Sequence, residues 1–268
     1  MSGTPGGGRR ASGVLAAPAG RMAALARAEL TLLGRSRSAM VAAVFLPLVL
    51  PFSVQSAVEQ MNLKNVGLSV GLVVLPAAIG FSLLFAVYST LVGVFVSRRE
   101  QLVLKRLRTG ELRDTEILAG SALPAAVTAL VQSLLLVTAC TALLRVPAPR
   151  APQLAVLGLL LGLVLCVCLA AVTASFTRTT ESAQVTTGPL ILLTMIGSGL
   201  AVPLELLPDR LANMCRVLPL TPVITLVRGG WTGQLSGGQA LGAVVSALAW
   251  TVASVFAVRR WFRWEPRR

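Results

Sequence analysis

The chain has 268 residues, 55% of them hydrophobic, with a mean hydropathy of +0.79 and a formal net charge of +14, which excludes a single soluble domain and points to an integral membrane protein. Histidine is absent, so the commonest metal ligand and general base is missing. The four cysteines, Cys140, Cys166, Cys168 and Cys215, read as small apolar side chains rather than as a metal site or a disulfide pair.

Six intervals free of Asp, Glu, Lys and Arg, at residues 38–58, 65–97, 117–144, 151–177, 182–204 and 229–258, each hold at least 21 residues. A helix needs about 20 apolar residues to cross the hydrocarbon, so the sequence predicts an all-α polytopic membrane protein with six transmembrane helices. With both termini cytoplasmic, 18 of the 24 Lys and Arg fall on the inner side, as positive-inside topology requires. The basic excess is then a topology signal and not a nucleic-acid footprint.

Residues 1–20, built from Gly, Ala, Pro and Ser with Arg9 and Arg10, are expected to form a disordered cytoplasmic tail. No apolar core long enough for a signal peptide follows the two arginines. A transmembrane domain is expected over 21–258 and a basic aromatic tail over 259–268. Residues 21–38 pattern as a helix along the membrane surface, with Met22, Leu25, Ala26 and Leu33 on one face. Glu29 falls on that apolar face, where it either snorkels to headgroups or pairs with an arginine. The first span, 39–57, carries Pro47 and Pro51, which kink it.

The second span lies in the 65–97 window, longer than a bilayer requires, so a turn of helix is expected to run on beyond Val96. It leads into a charged island at 97–118 with ten ionisable residues, six of them basic, which places this loop in the cytoplasm. Within it Val103, Leu104 and Leu107 share one helical face while Arg99, Lys105, Arg106 and Arg108 project elsewhere, predicting a short amphipathic helix ended at Thr109-Gly110.

The third span, about 118–144, contains Pro124 and Gln132, and the fourth, 154–176, carries Gly158 and Gly162 in GxxxG spacing. That spacing serves a dimer face or packing within one subunit, and the second use is favoured. A short inner turn precedes a fifth span at 185–202. Between it and the sixth span, 241–258, two short outer helices are expected. Asp209 caps one bearing Leu211, Met214, Cys215 and Leu218 on one face, and Thr221-Pro222 opens another that ends at Arg228-Gly229. Trp261, Phe262 and Trp264 then anchor the chain's basic end at the interface.

No chemistry for ATP hydrolysis is visible. The only lysines, Lys64 and Lys105, follow leucines, whereas a P-loop needs Gly-Lys followed by Ser or Thr. A Ser-His relay is excluded with histidine. The spans hold no carboxylate to couple an ion gradient, which makes a stand-alone secondary transporter the alternative reading, with a non-transporting scaffold or immunity protein as a third. An energy source outside this chain is the simpler expectation.

Three local patterns resemble the permease subunit of bacterial type 2 ABC exporters, the drug and antibiotic export family. Arg99-Glu100 followed by Leu104-Lys105-Arg106-Leu107-Arg108 is similar to that family's cytoplasmic coupling segment. The run from Pro203 through Glu205 and Pro208, then Pro219, Pro222 and Arg228-Gly229, is similar to its outer short-helix region, and Arg263-Trp264 to its tail. Where the family often has Gly-Thr after the Arg-Glu-x triplet, this chain has Leu102-Val103, and Glu111 stands where a Pro is common. The resemblance implies a plasma-membrane permease pairing with a second permease, as homodimer or heterodimer, and with two copies of an ABC ATPase that hold the ATP and Mg. No cofactor is expected in this chain, and its cargo is a hydrophobic or amphiphilic molecule. Arg99, Glu100, Val103, Leu104, Lys105, Arg106, Leu107 and Arg108 would dock on the ATPase, and Glu205, Pro208, Pro219, Pro222 and Arg228 would form an outer gate or a structural lid over the dimer; Tyr88, Ser89, Gln132 and Met195 are candidate cavity liners, with helix-to-helix hydrogen bonding and packing the favoured alternative.

Overall fold

The computed structural model describes residue 49 and residues 69–102, 114–200 and 207–261. The predicted surface helix, the first span apart from Val49, the coupling residues from Val103 to Arg108, Glu205 and the chain's end beyond Trp261 lie outside the described residues. Every described element is helical. Helix α1 runs Val70–Glu100, α2 Asp114–Leu144, α3 Pro152–Phe176, α4 Thr180–Gly197, α5 Asp209–Arg216, α6 Thr221–Thr232 and α7 Gly237–Trp261.

By length and composition, α1, α2, α3 and α7 can each cross a membrane, and they coincide with the predicted second, third, fourth and sixth spans. The predicted fifth span forms α4, 18 residues long. Its first turns, Thr180 to Thr187, are mostly polar, and this keeps it out of the group of four. It starts ahead of the predicted residue 185 because a capping box closes its N-terminus, with the Thr179 hydroxyl accepting from the Ser182 N–H at 3.2 Å and Ser182 Oγ accepting from the Thr179 N–H at 3.0 Å.

Helix α1 is the core of the bundle. In its most apolar stretch 83% of residues are buried against protein, against 17% in α7, so α1 sits among other helices while α7 lies at the edge. α1 contacts α2, α3, α4 and α6, and α3 contacts α6 and α7. The aliphatic faces that α2 and α7 leave open, with Leu134, Leu143, Val252 and Phe256 each about two-thirds exposed, suit hydrocarbon rather than water. Midway along α1, Leu83–Ser89 widens into a π-helical segment. The Thr90 hydroxyl donates to Phe85 O at 2.9 Å, so a side chain serves one carbonyl at the irregularity.

The glycines of α3 meet this chain's own helices. A Cβ on Gly158 would lie 2.9 Å from the Leu226 Cβ, and one on Gly162 would lie 2.7 Å from Leu83 and 2.8 Å from Val223. The GxxxG spacing therefore admits α6 and α1 within one subunit.

Candidate functional site

At its C-terminal end α1 meets the turn between α3 and α4. Arg99 is only 1% exposed. Its Nη1 donates to Ala174 O at 2.8 Å, and its Nη2 donates to Thr177 O and, at 3.4 Å, to Arg178 O. The last carbonyls of a helix have no partner within the helix and carry the negative end of its dipole. A planar guanidinium with diverging donors is matched to that position.

The next residue does the converse. Glu100 Oε1 accepts the Thr180 N–H at 3.3 Å and Oε2 accepts the Thr180 hydroxyl, so a carboxylate sits on the positive first turn of α4. One dipeptide thus clasps two helix ends with the charge each prefers. Its neighbour Arg98 donates to Ser121 Oγ on α2, which in turn donates to Ile117 O at 2.7 Å.

The geometry alters the expectation for Arg99. Predicted to project from the coupling helix toward a partner, it is turned into this chain and clamps α3. The helical hydrophobic pattern could not reveal this, because its acceptors are backbone atoms 75 residues or more further along. Just beyond, Leu102 has φ of 59°, the left-handed conformation that ends helices and that glycine adopts without steric cost. This is the position where the resembled family often carries Gly.

The four candidate cavity liners lie on three helices, Tyr88 and Ser89 on α1, Gln132 on α2 and Met195 on α4. Tyr88 is fully buried and hydrogen-bonded to Thr173 Oγ1 at 3.0 Å, tying α1 to α3. Gln132 accepts from the Ser82 hydroxyl at 3.0 Å, tying α1 to α2. Ser89 is half-buried, and Met195 packs on the edge of the core. Helix-to-helix bonding and packing account for these contacts.

The α5–α6 region packs against the opposite end of α3. A Cβ on Gly230 would lie 2.6 Å from the Ala155 N, near the start of α3. Pro208, and not Asp209, occupies the N-cap of α5, with Asp209 the first helical residue. Leu211 and Met214, predicted to share one face of this helix, are 51% and 71% exposed, while Ala212 faces the protein. Helix α6 starts near Thr221 as predicted but runs past Gly229 to Thr232, ending at Gly233 with φ of 66°. Gly229 and Gly230 give close approach to Leu235 and Ala155 and do not stop the helix.

Thr221 Oγ1 donates to Cys215 O at 2.7 Å and lies 3.1 Å from Ser198 Oγ, and Arg228 Nη2 donates to Gly199 O at 3.1 Å. These bonds fasten the end of α4 to α5 and α6. Pro219 is buried, Pro208 exposed, and Pro222 and Arg228 line a cavity of about 560 Å³ between α6 and α7. The sequence reading missed the other walls of this cavity. Gln239, Gly242, Ala243 and Ser246 are small or polar residues on one face of α7, visible beforehand as a break in its apolar pattern.

Residues 21–231 match the family model described as ABC-2 type transporter. No curated protein matches the chain.

Proposed function

The chain belongs to the ABC-2 type transporter family, and from that premise we propose that it is the permease subunit of an ATP-driven bacterial exporter. The family's domain is the membrane component of transport and not itself catalytic, and it implies association with an ABC ATPase subunit. In this reading six spans cross the plasma membrane with both termini cytoplasmic, and a hydrophobic or amphiphilic molecule, whether drug, antibiotic or lipid-like, leaves the cell. Two ATPase copies bind ATP and Mg, and a second permease, identical or related, completes the pathway.

The observation that carries the coupling part of this reading is the double clasp at the end of α1. Val103, Leu104 and Leu107 insert into the ATPase, Lys105, Arg106 and Arg108 orient it, and the segment begins directly after Glu100. A push there reaches α1 through the chain, and through Arg99 and Glu100 it reaches the ends of α3 and α4 together. The outer gate that responds comprises Pro208, Pro219, Pro222 and Arg228, of the α5–α6 region at the far end of α3, together with Glu205.

The test is co-purification of the full chain from its native membrane. A P-loop ATPase is expected to accompany it, and Leu104→Asp with Leu107→Asp is expected to abolish that association while leaving the chain in the membrane. Uptake driven by an ion gradient in vesicles holding this chain alone would overturn the proposal.

A further inference from the structure

The C-terminal ends of α3 and α7 stand side by side, and basic residues gather where they meet. The rings of Phe176 and Trp261 lie 6.2 Å apart, each side chain 52% exposed. Arg178 follows the first ring by two residues, and Arg259 and Arg260 directly precede the second. All three arginines are exposed, and no described carboxylate pairs with any of them.

The local field favours an anion at this end. The C-terminus of α3 would repel one through its dipole, but Arg99 already donates to Ala174 O and Thr177 O there. Of the nearby carboxylates, Glu100 is taken up by Thr180, and Glu181 lies in the positive first turn of α4. The positive charge that remains faces outward, and guanidinium groups suit phosphate oxygens in particular.

The pattern along α7 tells what carries the phosphate. Val252, Phe256 and Arg260 follow one another at a spacing of four, so they share one helical face. Val252 and Phe256 are about two-thirds exposed, while Ala247 and Ser254 on the other side are buried. One face of α7 thus passes from bare apolar surface to guanidinium within about two turns. At 1.5 Å per residue its 25 residues reach about 37 Å, beyond the ~30 Å of hydrocarbon, so the last turn lies among headgroups. A soluble anion would use only the arginines. A phospholipid uses the whole face, with its acyl chain on Val252 and Phe256, its phosphate on the arginines, and the ring pair at the boundary where aromatic side chains settle.

We infer that the adjoining ends of α3 and α7 hold an anionic phospholipid, its phosphate bound by Arg259 and Arg260 beside the Phe176–Trp261 pair, with Arg178 adding charge at the same level. The inference goes beyond the coupling reading and does not need it.

The full chain in neutral detergent is titrated calorimetrically with short-chain phosphatidylglycerol, short-chain phosphatidylcholine and inorganic phosphate. Phosphatidylglycerol is expected to bind about tenfold more tightly than phosphatidylcholine, whose choline cation meets the same arginines; tenfold is the worth of one charge-assisted hydrogen bond. Arg260→Gln is expected to weaken phosphatidylglycerol binding by about tenfold on the same ground, and Arg259→Gln with Arg260→Gln by at least as much. Arg145→Gln with Arg210→Gln removes the same charge at the other end of the bundle and is expected to bind as the wild type does. All four positions are exposed, so unchanged thermal unfolding separates lost binding from lost fold.

Equal affinity for both lipids overturns the inference, as does wild-type binding by both Arg260 variants. An equal loss from the Arg145 and Arg210 pair overturns it as well, because net charge would then be the cause. Inorganic phosphate binding as tightly as phosphatidylglycerol does the same, since the acyl contact would then count for nothing. No ATPase is present, so failure here leaves the permease proposal standing, and failure of co-purification leaves this one standing.

Discussion

Arg99 can be buried because its charge faces carbonyl oxygens that no helical N–H can reach. Replacing it with Met keeps the volume and leaves those oxygens buried without a donor, at about 1–3 kcal/mol per group. Thermal unfolding of the full chain is expected to show a clear loss for Arg99→Met and a smaller one for Arg99→Lys, which keeps the charge but not the fork. Unfolding at the wild-type temperature for both would show that the clasp contributes nothing. Leu102 is the converse case, a side chain held at φ of 59° and 40% exposed. Leu102→Gly is expected to stabilise the end of α1 by about 1 kcal/mol, the lower end of the steric cost of left-handed backbone for an L-residue. The midpoint of denaturation checks it. Both residues stood out in the sequence, one as a charge in the coupling segment and one as a departure from Gly. What they touch was not legible, since the Glu100 clasp joins residues 80 apart in the chain.

Among the helices, the glycines divide into those that a neighbour fills and those that face open space. A Cβ on Gly230 would lie 2.6 Å from a backbone nitrogen of α3, and backbone cannot yield as a side-chain tip does. Gly230→Ala is expected to destabilise the bundle by roughly 1–3 kcal/mol, the usual cost of overpacking. Gly242→Ala, in open space within a span-length helix, is expected to be neutral or stabilising by up to about 1 kcal/mol, from helix propensity. Paired melting curves of the two variants check the contrast, and equal shifts would contradict it. The charge-free windows made α1, α2, α3 and α7 legible because lipid removes charge from a span over its whole length. Boundaries were less legible. Helix α4 begins early through its capping box, and α6 overruns Gly229 because that glycine serves packing. The cavity was missed because its walls come from α5, α6 and α7 together, whereas periodicity treats one helix at a time.

For the whole molecule, the clasp and the α5–α6 region stand at opposite ends of α3, so the orientation of the chain decides which of them an ATPase can reach. The natural cysteines provide the measurement. Cys140 and Cys166 are buried and Cys168 is half-buried, all within spans, whereas Cys215 lies half-buried in α5 outside them. A maleimide that cannot cross membranes needs a thiol in water, so Cys215 is the natural site it should modify. With basic residues concentrated inside, intact cells are expected to be labelled, and Cys215→Ser is expected to remove the label. Arg178 supplies the opposite marker. It is exposed in the α3–α4 turn and gives the clasp only its backbone oxygen, so Arg178→Cys leaves that contact in place. On the Cys215→Ser background this thiol is expected to react only after the membrane is made permeable. The reverse pattern would put the clasp outside the cell, where no ATP-driven subunit could act on the segment that follows Glu100. The coupling proposal would fall while the bonds of the clasp stayed as they are, because those bonds depend on helix ends and not on the side of the membrane they face.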